Sequence, residues 1–94
     1  MSGVDKDVFI QLLTEAVVSV ARRKELMSRF EELAGEAEIV NASSAEAEAI
    51  EDFGYDLAYY TTNPDALRQD ATLFGDDELL RRIRSVLTRI ANSE

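Results

Sequence analysis

Apolar residues recur along this chain at three- and four-residue intervals, the spacing that lines one face of an α-helix. Over residues 5–18 the stripe is Val8, Phe9, Leu12, Leu13, Ala16 and Val17. Asp5 and Asp7 stand at its start, where a carboxylate meets the positive end of the helix dipole. Leu26, Met27, Phe30 and Leu33 form a second stripe over residues 20–34, with Arg22, Arg23 and Lys24 as a basic patch and Gly35 as the C-terminal stop. Ser19 fits two roles. It caps the second helix, or it lies inside one continuous helix running to Arg23, and the sequence leaves both open. Residues 36–42 lack periodicity and read as a connection.

Ser43 followed by Glu46 is a capping-box signature, and it opens a third helix reaching about Tyr60. Ile50, Phe53, Leu57 and Tyr60 are its core stripe, and Glu46, Glu48, Glu51, Asp52 and Asp56 fall on the opposite faces. Gly54 inside this helix marks either the close approach of another helix or a bend. Residues 61–75 read as irregular, with a turn at Asn63-Pro64-Asp65 and with Leu67, Leu73 and Phe74 tucked inward. Asp76 caps a last helix over residues 77–92. Leu79, Leu80, Ile83, Val86, Leu87 and Ile90 are its buried stripe, and Arg81, Arg82, Arg84 and Arg89 lie mainly outside. Four amphipathic helices with short connections predict an all-α fold, a compact four-helix antiparallel bundle formed by residues 1–94 as a single domain.

Composition narrows the chemistry. The chain has no cysteine, histidine or tryptophan. Disulfides, thiolate nucleophiles, the commonest general base and the usual zinc ligands are therefore absent. Carboxylate catalysis is formally open, but a 94-residue bundle has little room for a substrate cleft, so no enzyme and no catalytic residue is expected. Asp70, Asp76, Asp77 and Glu78 lack the spacing of a calcium loop, and no phosphate-cradling glycine motif is present. Neither a metal nor a cofactor is expected. No basic-then-apolar leader opens the sequence, and no apolar run approaches a membrane span, so the cytoplasm is the expected location.

Charge changes the picture most. The net charge is −9, and its distribution is blocked. Residues 1–29 hold four acids and five bases; residues 30–80 hold fourteen acids and one base, Arg68; residues 81–94 hold four arginines and one acid. A surface of this kind repels nucleic acid and draws basic partners from a distance. Some C-terminal arginines are expected beside the acidic third helix, moderating its self-repulsion. The adjacent Tyr59 and Tyr60 cannot face the same way. With Tyr60 in the core stripe, Tyr59 points outward as a protein-binding element, unless both rings only cover the core edge.

From Glu25 to Ile90 the chain resembles the colicin D-type immunity proteins. The residues that carry the likeness are Glu25-Leu26 with Phe30, the acidic helix ending at Tyr59-Tyr60, the turn Pro64-Asp65-Ala66 with Arg68, and Asp76-Asp77-Glu78-Leu79 leading to Ile83-Arg84-Ser85-Val86-Leu87. Asp56-Leu57-Ala58-Tyr59-Tyr60 is also similar to a segment of the colicin E-group DNase immunity proteins, although Thr61 stands where those have proline. The resemblance implies a four-helix inhibitor of a basic nuclease toxin of the tRNA-cleaving bacteriocin type, whose carboxylates take the place of RNA phosphates. It implies Asp65 as a contact residue. Asp52, Asp56, Tyr59, Tyr60 and Asp70 join it as expected partner-binding residues on charge and position. A protein partner is thus expected, with no nucleic acid and no membrane, and with a monomeric free chain. The alternative is a helical interaction or homo-oligomerisation module with no toxin partner, and a stable dimer would favour it.

Overall fold

The computed structural model describes residues 3–92. Their order is β1 (Gly3–Asp5), α1 (Lys6–Val18), α2 (Arg23–Glu36), β2 (Glu38–Val40), α3 (Ser44–Asp56), a 3-10 turn (Leu57–Tyr59), α4 (Pro64–Gln69) and α5 (Asp76–Asn92). The fold is mainly helical. A six-residue fifth helix and a two-stranded parallel sheet are added to the four helices expected. The four long helices pack as a ring, α1 on α2, α2 on α3, α3 on α5 and α5 on α1.

The apolar stripes meet at the centre of this ring. Phe9, Leu13, Met27, Phe30, Ile50, Phe53, Leu79 and Ile83 are fully buried. Phe30 stands between two other rings. Its centroid is 5.1 Å from Phe9 and 5.2 Å from Phe53, and both contacts are edge-to-face. That geometry sets the positive edge of one ring against the negative face of the next. Val8, expected in the stripe, is instead 40% exposed at the margin of α1. Leu80 and Leu87 are half-buried rather than fully enclosed.

The ambiguity at Ser19 resolves into a break. α1 ends at Val18, and Ser19 N–H bonds to Glu15 O at 2.8 Å as a C-cap. The carbonyls of the last turn then need donors. Arg23, read from sequence as part of a basic surface patch, turns inward to supply them. Its Nε donates to Ala16 O at 2.7 Å and an Nη to Val17 O at 3.3 Å. Helix α2 runs through Gly35 and ends at Glu36, so Gly35 is not its stop; Ala37 takes the C-cap, with its N–H on Leu33 O.

The connection expected at 36–42 contains β2. Gly3, Val4 and Asp5 pair with Glu38, Ile39 and Val40. A Cβ on Gly3 would lie 2.7 Å from a Val40 methyl, so a larger residue there would have to displace the Val40 side chain. Asn41 follows with φ 58°, left-handed backbone that asparagine tolerates, and donates to Asp5 Oδ2 at 2.6 Å. Asp5 in turn caps α1 by accepting from Asp7 N–H at 2.8 Å.

Helix α3 opens with the anticipated capping box. Glu46 N–H donates to Ser43 Oγ at 3.2 Å, and Ser43 N–H donates to Glu46 Oε1 at 2.8 Å. Glu46 is not on an outer face, as its sequence position implied, but buried. Lys6 Nζ reaches its second oxygen at 2.8 Å, tying the start of α3 to the start of α1. The Lys6 ammonium, and then the Ser43 N–H, hold the Glu46 carboxyl below its ordinary pKa. Regular helix stops at Asp56, four residues short of Tyr60. The 3-10 turn then delivers Tyr60 to an isolated parallel bridge with Phe74. Within the expected loop, Asn63 caps α4 and Pro64 occupies its first turn.

A candidate protein-binding face

Helix α3 packs against both α2 and α5 and carries Asp52 and Asp56, two of the four acidic side chains expected to meet a partner. Its core stripe, Ile50, Phe53 and Leu57, fixes what the two outer flanks present. One flank faces α5 and holds Asp52 and Asp56. The other faces α2 and holds Glu51 and Tyr55, with Ala58 of the 3-10 turn beside them.

The α5 flank is electrically compensated within the molecule. Asp56 pairs with Arg82 at 3.2 Å, and Asp52 approaches Arg89 at 3.9 Å. Arg82 also bonds Glu78 at 2.9 Å, and its guanidinium carbon lies 4.4 Å from the centroid of the Phe74 ring. An arginine is thus held against an aromatic face by two carboxylates. Arg81 engages the other oxygen of Glu78, so that the pair of arginines holds the Glu78 carboxyl below its ordinary pKa, Arg81 contributing most. This is the moderating role expected of the C-terminal arginines.

The loop residues are occupied locally. Tyr60 is half-buried, its ring 5.9 Å from Phe74, and its hydroxyl donates to Asp76 Oδ1 at 2.5 Å. Arg23 approaches the other Asp76 oxygen at 3.6 Å. Asp65 in the first turn of α4 pairs with Arg68. Asp70, the C-cap of α4, accepts from Thr72 Oγ1 at 2.6 Å and Thr72 N–H at 2.9 Å, which lowers its pKa. Beside these residues is an open cavity of about 590 Å³, lined by Leu67, Leu73, Phe74, Asp76, Glu78 and Arg82 among others.

Burial, and then the bond to Asp76, push the Tyr60 phenol well above its ordinary value of 10.0. A raised folded-state pKa means that Tyr60 contributes its full stability below the ordinary value and loses it as pH rises toward the folded one. The difference in phenolate absorbance near 295 nm between wild type and Tyr60→Phe should therefore stay flat through the ordinary phenol range and appear only as helical circular dichroism is lost. A Tyr60 signal centred near the ordinary value in folded protein would contradict this burial.

The α2 flank is different. Gly54 lies against Ala34, and a Cβ there would come within 2.9 Å of the Ala34 methyl. Helix α3 continues through Gly54, so this glycine marks a close helix approach and not a bend. Beside that contact is a groove of about 170 Å³, lined by Ala34, Gly35, Gly54 and Ala58, with Glu31, Glu51 and Tyr55 at its edges. Tyr55 is 76% exposed and Tyr59 is 50% exposed. Tyr55 was missed from sequence, although the signal was present: two residues after Phe53 and two before Leu57, it must face away from the core.

Of the six expected partner-binding residues, Asp52 and Asp56 share the α5 flank, Tyr59 is the outward tyrosine anticipated, and Tyr60 closes the core edge. Asp65 and Asp70 stand at opposite ends of α4. Among the described residues, no helix is long and apolar enough to cross a membrane. Comparison with protein-family models, curated proteins and solved structures yields no significant match.

Proposed function

We propose that this chain is an immunity-type inhibitor. It binds a basic nuclease toxin domain, of the tRNA-cleaving bacteriocin class, and covers the toxin's active site with an acidic surface. It acts by occupancy and catalyses nothing. One observation carries the reading: fourteen acids against one base in residues 30–80, beside two exposed tyrosines on and just after α3. A nuclease that grips phosphate must be cationic at its site, and a carboxylate-rich face is steered to that site and competes there with RNA. Exposed tyrosine adds rigid contact area with a polar tip, as protein interfaces favour. The resemblance over Glu25–Ile90 points the same way and implies an antiparallel four-helix framework. The free chain is a cytoplasmic monomer on this reading.

The test is co-expression with each open reading frame that flanks its own gene. One flanking product should arrest growth alone, carry a basic C-terminal nuclease domain, and lose toxicity when this chain is present. Absence of any toxic flanking product that the chain neutralises would overturn the proposal.

A further inference from the structure

We infer that the groove between α2 and α3 is the seat for an arginine side chain of the basic partner. The inference rests on the proposed binding of a basic protein and adds where and how a cation from it is received. The molecule supplies its own template. On the α5 flank of α3, Arg82 lies 4.4 Å over an aromatic ring and is held by Asp56 and Glu78. The α2 flank presents the same chemical set, with Tyr55 as the aromatic and Glu31 and Glu51 as the carboxylates, yet no lysine or arginine lines the groove. Its floor of Ala34, Gly35, Gly54 and Ala58 is apolar and shallow, suited to the methylene stem of a long cationic side chain. A guanidinium satisfies both rim groups at once: it stacks on an aromatic face and offers forked donors to carboxylates, which an ammonium cannot do as well. Charge complementarity also argues against a second copy of this acidic chain as the occupant.

The probe is N-acetyl-arginine methylamide, titrated into the nitrogen-15-labelled chain at constant ionic strength. Its lysine and citrulline counterparts serve as comparisons. Saturable amide shifts confined to residues 31–35 and 51–58 are expected with the arginine probe, smaller ones with lysine, and none with neutral citrulline. Glu31→Gln with Glu51→Gln, or Tyr55→Ala, should abolish them while the circular dichroism stays unchanged. Shifts spread over the whole acidic surface would overturn the seat, as would shifts that survive in the double variant. So would shifts of the same amides that depend on protein concentration without probe, since a second copy would then be the occupant. Because no toxin enters this titration, its failure beside intact toxin neutralisation removes the seat alone. Its success without neutralisation removes the inhibitor reading alone.

Discussion

Replacing Phe30 with alanine is expected to lower the unfolding free energy by about 3–5 kcal/mol. Phe30 is fully buried and is the middle ring of the Phe9–Phe30–Phe53 series, which spans α1, α2 and α3. Truncation removes both edge-to-face contacts and leaves a void that three helices would have to move to fill. A domain of this size commonly has a total stability of about 5–15 kcal/mol, so the loss is a large part of the whole. At roughly 4–8 °C per kcal/mol, the thermal midpoint should fall by more than about 12 °C. Urea unfolding followed by circular dichroism gives the value directly. A cost below about 1 kcal/mol would mean that Phe30 is not at the centre of the core.

Arg23→Met is expected to cost about 3 kcal/mol, although methionine fills much of the same space. The side chain of Arg23 is only 7% exposed. Its hydrogen bonds to Ala16 O and Val17 O supply donors that the end of α1 lacks, and a cation at a helix C-terminus is favourable in its own right. The contact with Asp76 adds little, because that carboxylate is 45% exposed and solvated. The cost therefore belongs to the stranded carbonyls. Asp76→Asn should accordingly be much milder than Arg23→Met, and Arg23→Lys should recover only part of the loss, since one ammonium cannot replace the guanidinium fork. Equal unfolding midpoints for Arg23→Met and Asp76→Asn would contradict this division.

The helices and their buried faces were legible in the sequence because three- and four-residue spacing records them directly. Ile50, Phe53 and Leu57 face the core as that spacing requires, and so do Leu26, Met27 and Phe30. Features set by distant contacts were not legible. Arg23 stands in a basic triplet that reads as solvated, and only the unfinished end of α1 draws it inward. Glu46 sits among acids that read as outward, and it is buried because Lys6, forty residues earlier, arrives beside it. The strands at 3–5 and 38–40 are too short to show an alternating pattern. At the candidate face, the sequence located the acidic helix and the outward Tyr59. It could not show that Arg82 and Arg89 already serve Asp56 and Asp52, or that Gly54 meeting Ala34 opens a groove on the other flank.

Association with the basic nuclease domain of the flanking toxin tests the acidic face most directly. Calorimetric titration at about 50 mM and about 500 mM salt would compare wild type with the Asp56→Lys, Asp65→Lys double variant. Both carboxylates are exposed enough that the variant should keep its helical spectrum. Binding should weaken as salt rises, and the double reversal should weaken it by about a hundredfold or more at low salt. Equal affinities for the two chains, unmoved by salt, would contradict recognition through the acidic face.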